Sequence, residues 1–133
     1  AKWDGVAVGG STAAWLLGIG DFHLSPYRIY APERINSKIE SARFGERNVD
    51  EGDMAWMGGL PVTRAERTLA DLCLDCEDPS LVEGAFRDAA AQGLIDSAKL
   101  GSLLDELGES KRRAALLEPL ARALSASDQK GRS

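Results

Sequence analysis

The sequence predicts an α+β domain, a small mixed or antiparallel sheet of roughly three to five short strands packed against about four or five helices. Three observations carry this. Short apolar runs punctuated by Gly and Pro fill the first sixty or so residues. From Thr63 onward the apolar residues switch to helical spacing. Between the two regimes lies Gly58-Gly59-Leu60-Pro61-Val62-Thr63, a tight connection into a strand that runs straight into a helix.

In order, Val6-Ala7-Val8 reads as a strand closed by Gly9-Gly10. Ser11 caps a short helix through Leu17 that turns Ala14, Trp15 and Leu17 toward the core. Tyr27 to Tyr30 is a strand bracketed by Pro26 and Pro32, and Ile39 to Phe44 is another. Gly45 to Gly52 reads as a polar loop, and Met54 to Met57 as the next strand. Pro61 has no N–H for a ladder, so the strand from Leu60 to Val62 belongs on an edge or must be very short. Trp3, Trp15 and Trp56 are expected to anchor the core.

Thr63 and Glu66 have the spacing of a capping box, in which each side chain takes the other residue's amide. The helix they open carries an apolar stripe of Ala65, Leu69, Leu72, Cys73 and Cys76. Arg67 and Asp71 lie one turn apart on another face. They read as an ordinary surface ion pair, with a positioned interface pair as the alternative. Asp78-Pro79 starts a second helix with stripe Leu81, Val82, Ala85, Phe86 and Ala89, and Gly93 ends it. Asp96 caps a third, with Leu100, Leu103, Leu104 and Leu107, stopped by Gly108. Ser110 opens a last helix with Leu116, Leu117, Leu120 and Leu124, kinked or restarted at Pro119. Residues 1–124 are thus expected to form a single domain, and 125–133 a polar tail or linker.

At 133 residues, 44% of them hydrophobic and 28% charged, the chain suits a globular domain with a real core. No apolar run approaches the roughly 18 residues that span a bilayer, and no basic-then-apolar leader opens the chain. A cytoplasmic protein with no membrane association is expected. Because the chain begins with Ala, and its first residues already read as folded protein, an excised piece of a longer chain is expected as well. A net charge of −5 argues against a general nucleic-acid binder. Charge is uneven, though: Arg28 to Arg47 holds five basic and three acidic residues, with Asp50, Glu51 and Asp53 close behind. Such a stretch either steers a charged partner or is a solvated sheet edge.

The search for chemistry is negative, and no catalytic residue, metal site or cofactor is expected. His23 stands alone in a loop. Gly9-Gly10-Ser11 precedes a helix but lacks both the Walker Lys and the Rossmann glycines. Cys73-Leu74-Asp75-Cys76 falls in the last turn of its helix, where the macrodipole disfavours thiolate. With no second Cys pair for zinc, it reads as buried thiols of a reducing compartment. A metal-dependent nuclease is the enzyme alternative. It requires acids converging with a Lys on adjoining strands, and Met54 to Met57 carries no Lys.

The segment Gly59 to Thr63, followed by Arg67, Thr68, Leu69, Asp71 and Leu72, resembles the C-terminal domain of the AbiEi family. These are the antitoxins and transcriptional regulators of type IV toxin–antitoxin systems, which carry Gly-Leu-Pro-Val-Thr followed by Ala-Arg-Thr-Leu-Leu-Asp-Leu. Arg64 and Glu66 sit where that family varies. A second similarity is Ser11-Thr12-Ala13-Ala14 through Gly20-Asp21 and then Tyr27 to Pro32, and a third is Val82 to Ala89 with Gly93-Leu94 and Leu100. Together they run from about residue 5 to 107. The resemblance implies a non-enzymatic bacterial regulatory domain that contacts a nucleotidyltransferase-like toxin. It also implies an N-terminal winged helix-turn-helix, missing from this chain, through which the full-length protein reads operator DNA. Arg28, Arg43 and Arg47 are the candidate interaction surface because they lie in the basic stretch. Arg64 and Arg67 follow as exposed residues near the start of the capped helix. Replacing Arg43 and Arg47 by Glu is expected to leave folding intact.

Overall fold

A computed structural model describes residues 3–36, 38–75 and 77–106, with the side chains of Ser97 and of residues 104–106 outside the description. The elements are β1 (Ala7–Val8), α1 (Gly10–Leu17), β2 (Tyr27–Ala31), β3 (Ala42–Glu46), β4 (Met54–Met57), β5 (Leu60–Thr63), α2 (Ala65–Leu74), α3 (Pro79–Ala91) and α4 (Ser97–Glu106). The architecture is α+β, with the helices mostly in the C-terminal half. The five strands form one mixed sheet in the order β3-β2-β1-β5-β4. β2–β3 and β1–β5 pair parallel, whereas β1–β2 and β4–β5 pair antiparallel. The last helix from Ser110, Leu107 and the tail lie outside the described residues, as does Cys76.

Several sequence expectations need correction, and each has a local cause. β3 begins and ends later than the apolar run Ile39 to Phe44 suggests. Its parallel register runs from Tyr27↔Ala42 to Ala31↔Glu46 and sets Gly45 opposite Tyr30. Gly45 is therefore a contact glycine inside the strand, since a Cβ there would lie 3.1 Å from the Tyr30 ring. β5 is short but interior, between β1 and β4. It tolerates Pro61 because β1 spans only two residues and meets β5 at Val8↔Val62. Gly58 and Gly59 both have positive φ, 56° and 84°, as a two-residue type I′ hairpin demands.

The capping box does not form. Thr63 is held in the sheet opposite Met54, so Arg64 takes the N-cap position and supplies no side-chain cap. The Thr63 hydroxyl lies 2.6 Å from Thr68 Oγ1 instead, and Thr68 Oγ1 donates to the Thr63 carbonyl at 3.1 Å. Gly9, not Ser11, is the N-cap of α1. The Asp caps do form: Asp78 accepts from Ser80 N at 2.8 Å, and Asp96 accepts from the amides of Ala98 and Lys99.

Nine of the ten α2 residues are buried, so this helix has no solvated face. Ala14 of α1, Leu69, Leu72 and Cys73 of α2, Val82, Ala85 and Phe86 of α3, and Leu100 of α4 form the core with Ile19 and Phe22. The turn after α1 is tied to α3. Gly20 N donates to Asp88 Oδ2 at 2.7 Å, and Gln92 Nε2 donates to the Gly18 carbonyl at 3.1 Å. Trp15 and Trp56 are half exposed or more, not core anchors. Ala13 and Ala14 occupy the inward side of α1, which turns Trp15 out, and Trp56 lies on the edge strand β4. Trp3 is half-buried and donates from Nε1 to the Val6 carbonyl. Among the described residues, no helix is long and apolar enough to cross a membrane.

Candidate functional site

Helical geometry stacks Arg67 and Asp71 on one line of α2, and Asp75, the C-cap, follows one turn beyond. Strand alternation puts Arg28 and Tyr30 on one face of β2, and the parallel register adds Arg43 and Gly45 from β3. Arg47 follows just past the end of β3, its amide bonded to the Ala31 carbonyl at 2.8 Å. The sheet face and the α2 line meet in a single network.

Asp71 is fully buried. Its Oδ1 accepts from Arg47 Nη1 at 3.0 Å, and both its oxygens accept from Arg67 Nε at 3.2 Å. Asp75 accepts from Arg47 Nη2 at 3.0 Å and from Arg28 Nε and Nη2 at 3.3 Å, and the Tyr30 hydroxyl donates to it as well. Two guanidiniums lie over the Tyr30 ring, with Arg47 4.6 Å and Arg28 5.1 Å from its centroid. Gly9 makes this placement possible, because a Cβ there would stand 2.3 Å from the ring.

The electrostatics follow from burial. Desolvation pushes the Asp71 carboxyl above its usual range and outweighs Arg67 and Arg47, which pull it down. Burial likewise raises the Tyr30 phenol well above its ordinary value, with Asp71 and Asp75 adding to the shift. Arg28 and Arg47 are held more firmly protonated than usual: burial opposes the charge, but the aspartates and Tyr30 more than restore it. Three arginines face two aspartates, leaving one positive charge in excess among these five groups. Arg67 Nη2 is buried with no hydrogen-bond partner among the described residues.

The five sequence candidates are therefore not one surface. Arg28, Arg47 and Arg67 converge in the network, and Arg67 is only 5% exposed. The Arg67–Asp71 pair is buried, not the surface ion pair its spacing suggests. Arg43 is exposed, with its guanidinium on the Glu40 and Ala42 carbonyls. Arg64 is exposed at the N-cap of α2. Tyr30, Asp71 and Asp75 complete the network, and of their signals only the four-residue spacing along α2 is visible in the chain itself. Elsewhere in the basic stretch, Arg34 and Lys38 line an open depression of about 710 Å³ beside Phe44.

Both network carboxylates are neutralised by arginine, so the arrangement joins α2 to β2 and β3 and offers no free base. Cys73 is buried, and burial with Asp71 nearby pushes its thiol up to about 12. Asp53, in a short 3-10 turn (Glu51–Asp53), is buried and ion-paired to Lys99 at 3.3 Å. Among the described residues, no three His, Cys, Asp or Glu side chains come together to hold a metal ion. No family model, curated protein or solved structure matches the chain.

Proposed function

We propose that this chain is the non-enzymatic C-terminal domain of an AbiEi-type bacterial antitoxin and transcriptional regulator. It acts through protein contacts with a nucleotidyltransferase-like toxin, and a winged-helix domain of the full-length protein carries operator binding and autorepression. The observation that supports the reading most is the use made of the family-like segment. Leu60–Thr63 forms the inner hairpin strand after the turn at Gly59, and Arg67 and Asp71 turn inward from α2 into the network. The charges that draw attention in the sequence thus serve the fold, as a domain recognised by its architecture requires.

A surface for protein contact is available on the same hairpin, where Trp56, Met57 and Leu60 lie exposed around the Gly58-Gly59 turn. Exposed aromatic and apolar groups clustered on an edge strand are a usual mark of an interaction site. A metal-dependent nuclease requires converging acidic ligands, and among the described residues no three His, Cys, Asp or Glu side chains come together.

Co-expression tests the reading. The full-length protein should rescue growth arrested by the nucleotidyltransferase-like toxin encoded beside it, and should lower expression from its own promoter. Growth arrest that persists beside a folded, abundant protein removes the antitoxin role. An unrestrained promoter removes the repressor role.

A further inference from the structure

A cleft of about 470 Å³ opens between the β4–β5 hairpin and the start of α4, and none of its walls belongs to the arginine network. Leu17, Ala55, Met57, Val62 and Leu94 supply its apolar walls. Its charges balance, with Arg64 and Lys99 against Glu66 and Asp96. Apolar surface, not a single charge, therefore selects what fills it. Met57 and Leu94 are each over a third exposed, as is Leu60, the hairpin partner of Met57.

The place where the described chain stops points to one occupant. α4 starts on the cleft: Asp96 and Lys99 line it, and Lys99 Nζ bonds the Gly52 carbonyl and the Asp53 carboxylate. Leu100 and Leu103 are buried, and Glu106 lies about 10 Å farther along the helix than Lys99. Residues 107–133 follow, and within them 110–124 carries the stripe Leu116, Leu117, Leu120 and Leu124. A connection of about four residues is ordinary for two antiparallel helices. Counted back along such a pair, Leu116 and Leu117 come level with Gly101 and Leu100. Leu120 then comes level with the start of α4, and Leu124 passes beyond it toward Leu94.

Charge points the same way. Residues 1–106 hold ten Lys and Arg against eighteen Asp and Glu, a net of −8. Residues 107–133 hold six against three, a net of +3, with Lys111, Arg112, Arg113 and Arg122 inside the leucine-striped stretch. Asp50 and Glu51 are exposed next to Gly52 on the cleft wall. A basic segment tethered beside an acidic body is drawn to it.

We propose that residues 110–124 fold back as an amphipathic helix and dock their leucine stripe in this cleft, with Leu120 and Leu124 against Leu17, Met57 and Leu94. Pro119 marks a bend in that helix. The short tether makes the docking intramolecular, at an effective concentration on the order of millimolar, so a few buried leucines suffice to hold it. Once the cleft is filled, Met57 leaves the exposed hairpin surface, and a partner protein that uses it must first displace the segment. That consequence rests on the antitoxin reading, whereas the docking does not.

The test uses this chain alone, so its result is independent of any toxin. A nitroxide is attached at Ser125→Cys in the ¹⁵N-labelled 133-residue chain carrying Cys76→Ser, where the buried Cys73 stays unmodified. Loss of the Ala55, Met57 and Leu94 amide signals is expected, with much smaller effects at Arg43 and Phe44 on the opposite edge of the sheet. Leu120→Asp should restore the lost signals. A mixture of nitroxide-bearing chain without ¹⁵N and ¹⁵N chain without nitroxide should keep all of them. The proposal is overturned if those three signals survive beside the label, or if a folded L120D loses them equally. Signal loss in the mixture also overturns it, because the segment then sits on a second copy. If L120D fails to fold, the labelled parent and the mixture decide.

Discussion

Arg47 Nη1 lies 3.0 Å from Asp71 Oδ1, joining residues 24 positions apart across the junction of β3 and α2. Asp71 has no exposed side-chain surface, and it serves Arg67 as well. Removing a carboxylate from such a site strands two cations in a medium that solvates them poorly. Asp71→Ala should cost about 3–5 kcal/mol, the usual range for breaking a buried ion pair from one side. The paired replacement Arg67→Met with Asp71→Leu removes both charges and should recover most of that loss. Urea denaturation of the parent and the two variants checks both statements, and a loss below about 1 kcal/mol for Asp71→Ala would show that the network contributes little.

Arg43 and Arg47 separate sharply once the network is known. Arg43→Glu alters an exposed residue and should stay within about 0.5 kcal/mol of the parent. Arg47→Glu sets a third acid beside Asp71 and Asp75 and should destabilise by about 3 kcal/mol or more. Thermal unfolding of the single variants decides, since the sequence expectation that both are tolerated gives equal melting temperatures.

The glycines around Tyr30 make an opposite pair with a helical one. Gly9→Ala brings a Cβ to 2.3 Å from the Tyr30 ring, and should cost about 1–3 kcal/mol as the ring is displaced from its two arginines. Gly84, inside α3, has nothing within 4 Å of such a Cβ. Gly84→Ala should stabilise by about 0.5–1 kcal/mol through helix propensity. The melting temperatures should move in opposite directions, and a shared sign would contradict the packing around Tyr30.

Cys73 supplies a pH dependence. Its thiol holds the proton up to about 12 in the folded state, against 9.0 for an unperturbed one. The unfolded chain therefore loses that proton first, so stability falls as pH rises between about 9 and 12. The same burial should keep Cys73 unreactive toward iodoacetamide at pH 8 until the chain unfolds. Peptide mapping locates the label; rapid modification of Cys73 in the native protein would refute its burial.

Much of the frame was legible in the chain because its signals act over three or four residues. Asp78 and Asp96 cap helices through amides two or three residues ahead, and Gly58-Gly59 makes a hairpin from its own positive φ angles. The capping box at Thr63 failed for the complementary reason. The strand partner Met54 holds Thr63 in the sheet, and no local rule contains Met54. Gly45 misled in the same way, being glycine for the sake of a ring on the neighbouring strand.

By itself the sequence determined an α+β class, the order of strands before helices, the hairpin into α2 and the caps of α3 and α4. These follow from backbone preferences that each residue imposes on its immediate neighbours. Only the tertiary structure decided which charges are buried, and that decision drew three of five candidate surface arginines into ion pairs with α2 and its C-cap, burying Arg67 and half-burying Arg28 and Arg47. The spacing of Arg67, Asp71 and Asp75 places them on one line of a helix, but not whether water or Arg47 stands opposite. The same holds for Glu66, whose spacing from Thr63 points to a cap that the pairing of Thr63 with Met54 prevents. Burial is set by what the rest of the chain brings alongside, and the desolvation of a charge has no counterpart in local pattern.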